Sequence, residues 1–138
     1  YTLPLGVAAY PREGTDVTVV ALAKAAVDAI KVADELKEEG ISVEVVDPRT
    51  TSPLDEDGIL ESVASTGRLV VVDESAARCG FAHDVAALAA SQAFDSLKAP
   101  IQLVVPPHSP VPFSTPLEQA WLPGPEKIAA AIRAVVEA

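Results

Sequence analysis

Four short apolar runs, separated by stretches of helical periodicity, constrain this chain more than any other feature. They are VTVVAL (Val17–Leu22), ISVEVV (Ile41–Val46), RLVVV (Arg68–Val72) and IQLVV (Ile101–Val105). The first and third are almost unbroken in apolar, mostly β-branched residues. That is the pattern of strands covered on both faces of a parallel sheet, because a strand with one wet face alternates apolar and polar residues instead. Strand alternating with helix requires right-handed crossovers, which predicts an α/β fold built as a three-layer α/β/α sandwich. The opening GVAAYPREG is too short for another such unit and predicts an edge strand.

The helices carry their own signals. AKAAVDAIKVADELKEEG predicts a helix whose apolar side is Val27, Ile30, Ala33 and Leu36, with a Lys31–Glu35 pair outside and Gly40 as a left-handed cap. In PLDEDGILESVASTG, Asp55 is the expected N-cap, Glu56 and Asp57 suit the positive end of the helix dipole, and Gly67 closes the helix. A third helix is predicted over about Phe81–Leu97, turning Phe81, Val85 and Leu88 to one side. The last begins at Pro125 and buries Ile128, Ile132 and Val135. The single long irregular stretch is Pro106–Leu117, and loops of that length usually serve function or an interface.

A chain of 138 residues supports one well-cored domain. Twenty acidic against ten basic residues give a net charge of −10, so nucleic acid, which needs a basic stripe, is excluded as a partner. An acidic surface serves solubility or docking to a basic protein. One cysteine cannot form an internal disulfide, so Cys79 fits a reducing compartment and a cytoplasmic location. No apolar run is long enough to span a membrane. The chain opens on YTLPLG and contains no methionine, which reads as a piece of a larger polypeptide.

Catalytic and ligand motifs fail on spacing. The seven glycines, at 6, 14, 40, 58, 67, 80 and 124, are never closer than eight residues, so neither a dinucleotide fingerprint, a Walker loop nor a nucleophile elbow can be drawn. Cys79 and His83 would share a helix face at i, i+4, but a lone buried cysteine is the expected reading. With His108 they are too few for a metal site. Strand ends of open α/β sheets favour ligands, and here they carry Asp47, Arg49, Asp73 and Glu74. The reading favoured for Asp73 is a cap for the next turn or a partner for Arg68 or Arg78, rather than an acid–base. Trp121, in LEQAWLP, is expected to anchor in a groove. No catalytic, cofactor-binding or metal residue is therefore assigned.

Taken in order, the segments PLG, REGTDVTVVA, GISVEVVDPRTTSPLD, TGRLVVVDES, RCGFAHDVAA and APIQLVVPPHSPVPFSTPLEQAWLP resemble the C-terminal domain of transketolase-like enzymes. The resemblance is to the β subunit of the thiamine-diphosphate-dependent first component of 2-oxo acid dehydrogenases, an oxidoreductase. It implies a mixed five-stranded sheet with four parallel strands and an antiparallel first strand, residues 1–15 being linker and edge strand and 16–138 the domain. It also implies that thiamine diphosphate and Mg2+ serve the complete enzyme but are not bound by this domain, which alone is inactive. The implied partners are a second β subunit, an α subunit and the dihydrolipoyl acyltransferase core. The alternatives are a transketolase or deoxyxylulose-phosphate synthase C-terminal domain, or a stand-alone α/β ligand-binding regulatory module. Relatives carry aspartate where this chain has His108, which argues against an obligatory proton-transfer role there. The expected interface is His108, Pro110, Pro112, Phe113, Glu118 and Trp121, on a segment whose prolines hold it extended.

Overall fold

Strands β1 (Ala9–Arg12), β2 (Val17–Ala21), β3 (Val43–Asp47), β4 (Leu69–Val72) and β5 (Gln102–Val104) form one sheet in the order β1-β3-β2-β4-β5. The computed structural model describes all 138 residues. Strands β2 to β5 are parallel, and β1 lies antiparallel on the outer edge of β3, with Ala9 opposite Asp47 and Arg12 opposite Val45. Helices α1 (Ala23–Lys37) and α5 (Pro125–Glu137) cover one face, while α2 (Glu56–Thr66) and α3 (Phe81–Gln92) cover the other. The expected sandwich, with its antiparallel first strand, is the observed fold.

Every residue of β2 is buried, and the strand period of two sorts its side chains between the two layers. Val17, Val19 and Ala21 pack with Val32 and Leu36 of α1 and with Ile128 and Ile132 of α5. Val20 packs the opposite way, with Val46, Val71, and Ile59 and Val63 of α2. Thr18 shares that second side, where its hydroxyl lies 2.8 Å from both Ser62 Oγ and Thr66 Oγ1. Ser62 in turn donates to Glu44, so the one hydroxyl inside the central strand is fully paired. No buried side-chain nitrogen or oxygen in the protein lacks a partner.

Helix α1 ends in a Schellman motif: Ile41 N–H reaches Leu36 O and Gly40 N–H reaches Lys37 O, both at 3.0 Å, with Gly40 at φ +83°. Gly67 closes α2 in the same left-handed conformation. Arg68, directly after it, donates from Nε to Val135 O at 2.9 Å and from Nη1 to Asp16 O at 3.3 Å. A cation thereby satisfies a carbonyl in the last turn of α5 and ties that helix to the start of β2.

Several sequence expectations need correction. Val27 is 51% exposed, because α1 turns a small-residue face, Ala25, Ala26, Ala29 and Ala33, towards the sheet and α5. Ala33 and Leu36 are buried as expected and Ile30 is half-buried against them, so of the expected stripe only Val27 is displaced, by small alanines that let the backbones approach closely. The i,i+4 ion pair on α1 is Lys24–Asp28 at 2.5 Å, not Lys31–Glu35. Helix α3 stops at Gln92 and a separate 3₁₀ turn follows at Phe94–Ser96. The irregular stretch after β5 is also shorter than expected, since a two-turn helix, α4 (Thr115–Trp121), occupies its end.

Two arginine forks cross the surface on the α1 side. Arg12 Nε lies 2.6 Å from Asp34, and Arg133 Nη2 lies 2.6 Å from Glu39. These hydrogen bonds hold the Asp34 and Glu39 carboxyls below their usual ionisation range. A carboxyl depressed on folding adds stability that is present above its unfolded pKa and is lost as pH falls through its folded pKa. The Arg12→Gln, Arg133→Gln double variant should therefore be less stable than the parent near neutrality. The urea midpoints of the two should converge as pH drops below about 4; a gap that stays constant with pH would show that the forks contribute through packing alone.

Candidate functional site

Two regions contain the residues singled out in the sequence: the loops at the carboxyl ends of the strands, and the proline segment after β5. At the strand ends, the carboxylates are occupied by the backbone. Asp47 Oδ1 accepts from Arg49 N at 2.9 Å, closing a tight turn in which Arg49 takes φ +60°. Asp55 Oδ1 accepts from Gly58 N at 3.1 Å as the N-cap of α2. Its other oxygen accepts from Ala8 N at 2.7 Å and so fastens the residue before β1 to that helix.

Asp73, at the end of β4, is 6% exposed and accepts from Ser75 N at 3.0 Å, from Ala82 N at 3.2 Å and from the Ser75 hydroxyl. One carboxylate thus organises the loop from 74 to 80 and supplies the missing cap of α3, whose N-cap residue is glycine. Gly80 is needed for the same packing, since a Cβ there would meet Ala76 O at 2.5 Å. Of the roles weighed for Asp73, capping is the one its hydrogen bonds show. It pairs with neither Arg68, which is spent on α5, nor Arg78. Glu74 is exposed.

Cys79 is exposed rather than buried and sits at φ +57° in that loop, before the helix begins. It therefore shares no helix face with His83. No group of three or more His, Cys, Asp and Glu side chains is gathered closely enough to hold a metal ion.

The proline segment is different, because it is presented rather than packed. His108 and Pro110 are exposed, Pro112 and Trp121 are half-buried, Glu118 is exposed, and Phe113 is as open as in a free chain at 104%. Val111 and Leu117 are also exposed. The segment is nonetheless braced from within. Ser109 N–H closes a turn on Pro107 O at 2.8 Å, and Trp121 Nε1 donates to Ser109 Oγ at 3.1 Å. Lys127 Nζ donates to Ala120 O at 2.7 Å and Leu122 O at 2.9 Å, capping the far end of α4. Trp121 therefore braces its own loop, and the large side chain left free is Phe113. Lys127, Ser109 and α4 itself gave no signal in the sequence, because each acts only across the folded turn.

On β1, burial and the carboxylates of Asp55, Glu44 and Glu61 raise the Tyr10 hydroxyl above its usual value. Tyr10 lies in a polar surface groove shared with Glu44, Glu61 and Ser62. Ser62 and Glu44 are already committed to the Thr18 cluster, so neither is a free group in this groove.

Removing the Asp73 carboxylate orphans two backbone donors and the Ser75 hydroxyl. Asp73→Ala should lower the unfolding free energy by about 1–3 kcal/mol in urea titration, with faster amide exchange confined first to residues 74–84. Unchanged stability would show that water replaces the cap without loss.

The family description "Transketolase, C-terminal domain" matches residues 6–128. The chain is 52% identical over 128 residues to the acetoin:2,6-dichlorophenolindophenol oxidoreductase subunit beta of Bacillus subtilis (strain 168), covering 93% of this chain and 37% of that protein. It is 43% identical over 137 residues to the pyruvate dehydrogenase E1 component subunit beta of the same organism, covering 99% and 42%. Among solved structures, a split gene transketolase, described as an inactive beta4 tetramer, superposes with a TM-score of 0.83 at 27% identity, covering 99% of this chain and 44% of that one. The chain therefore spans less than half the length of these relatives. With a matching family over residues 6–128, a shared fold and β-subunit relatives over nearly its whole length, this chain belongs to the transketolase C-terminal domain family.

Proposed function

We propose that this chain is the C-terminal assembly domain of the β subunit of a 2-oxo acid dehydrogenase first component. In this reading residues 1–15 are linker and edge strand, residues 16–138 are the domain, and the enzyme is cytoplasmic. The complete enzyme decarboxylates a 2-oxo acid with thiamine diphosphate and Mg2+ and passes the acyl group to a lipoyl arm. The domain holds a second β subunit, an α subunit and the dihydrolipoyl acyltransferase core in register. Identity of 52% and 43% to β subunits, against 27% to the transketolase structure, favours this reading over a transketolase domain.

The residues present do not fit the cofactor. A bound diphosphate and its Mg2+ require free oxygen donors and a backbone cradle. Here Asp47, Asp55 and Asp73 accept from backbone N–H groups, and the three residues with left-handed backbone other than glycine stand apart at 23, 49 and 79. No chemical step is assigned to this chain. What it offers is a surface.

The observation that carries the proposal is Phe113. A fully exposed phenylalanine, flanked by exposed Val111 and Leu117 on an internally braced segment, is an apolar patch whose shape is set before any partner arrives. Pre-ordered patches of this kind lower the entropic cost of association.

Charge separates the partners. Two copies at −10 repel, so self-association should strengthen as salt screens them, whereas docking of a basic partner should weaken. Sedimentation of the chain at about 10 to 100 μM, in low and then physiological salt, is expected to show a reversible dimer favoured by salt. Calorimetric titration with thiamine diphosphate and Mg2+ is expected to give no saturable heat. A strictly monomeric chain, or cofactor binding in the micromolar range, would overturn the assembly reading.

A further inference from the structure

An open surface pocket of about 710 Å³ lies at the foot of the sheet edge, lined by Phe94, Leu97, Ala99, Pro100, Ile101 and the stem of Lys98. Phe94 in it is 70% exposed. Its lining is mostly apolar, whereas two other grooves, beside β1, are lined mostly by polar and charged residues. The pocket residues run directly into β5, and the proline segment leaves the other end of the same strand. Phe113 and the pocket are thus linked through the edge strand of the sheet, the pocket before it and the knob after it.

Charge marks the same region. From Val85 to Pro125 the chain carries only Asp95, Lys98 and Glu118, a net charge of −1 in a protein at −10. This stretch is where two copies can approach with least repulsion, and its few charges are self-complementary. The pocket rim bears Lys98 beside Asp95, while the knob bears Glu118.

We propose that Phe113 of one copy inserts into the Phe94–Ile101 pocket of a second copy, and reciprocally. A two-fold axis perpendicular to β5 exchanges the two ends of that strand. It brings each knob over the other copy's pocket, with Glu118 facing Lys98. The contact is isologous and closes as a dimer rather than growing into a filament. Val111 and Leu117 form the apolar surround, and Trp121 acts indirectly, by bracing the knob through Ser109. This inference rests on the proposed self-association and specifies its contact.

Both phenylalanines are exposed, so replacing either leaves the core intact. Phe113→Ala and Phe94→Ala should each weaken the dimer of the chain by at least about 100-fold, since each removes a central aromatic from two symmetric contacts. An equimolar mixture of the two variants should associate about 10-fold or more tightly than either alone, because the heterodimer retains one intact knob and one intact pocket. Glu118→Lys and Lys98→Glu should likewise complement each other in a mixture. If the variants weaken the dimer but mixing restores nothing, the two phenylalanines do not meet. If neither variant weakens a dimeric chain, the contact lies elsewhere, and self-association stands without this pairing. A chain that is monomeric before any substitution removes the proposed self-association itself, and this contact with it.

Discussion

Two-sided burial of β2 is the constraint on which the rest of the structure depends. Val17, Val19 and Ala21 supply one layer and Val20 the other, so the strand needs helices above and below it before it is dry. Parallel pairing to β3 on one side and β4 on the other forces both crossovers, and their right-handedness sends α1 and α2 to opposite faces. A one-residue slip of β2 would drive Thr18 into the α1 layer and away from Ser62 and Thr66, leaving a buried hydroxyl unpaired. The Thr18 cluster thus sets the register that the valines alone leave open.

Polar chemistry at the carboxyl edge serves that same architecture. Asp47, Asp55 and Asp73 stand where an α/β enzyme would place its reactive groups, yet each accepts from main-chain N–H groups of the loop or helix that follows. These three carboxylates are spent in joining strands to the loops and helices that follow. In the proposed assembly role, the working feature is of the opposite kind, an exposed apolar segment braced by Trp121, Ser109 and Lys127.

Acidity and assembly are compatible because the charge is unevenly spread. Eighteen of the twenty carboxylates lie outside the stretch from Val85 to Pro125. In the proposed assembly, the acidic remainder serves the approach of basic partners, while the near-neutral edge beside β5 meets its own copy. The transketolase structure with the same fold is described as a tetramer, an instance of this scaffold in an assembled protein.

Much of this was legible in the sequence. The valine-rich runs determined the parallel strands, Asp55 and Gly67 bounded α2, Gly40 ended α1, and Pro125 opened α5, because each signal acts within a few residues of itself. What depended on partners distant in sequence was not legible. Val27 turns outwards and Ala25, Ala26 and Ala29 inwards only when α5, a hundred residues later, packs against α1. The cap expected of Asp73 was legible, but its reach to Ala82 at the start of α3 was not, and Cys79 is exposed because that loop turns outwards. Trp121 reads as an anchor until its indole N–H is seen bonded to Ser109, which leaves Phe113 as the free aromatic. Local periodicity and capping chemistry are properties of the chain itself, whereas burial and exposure belong to pairs of surfaces that exist only once the sheet has closed.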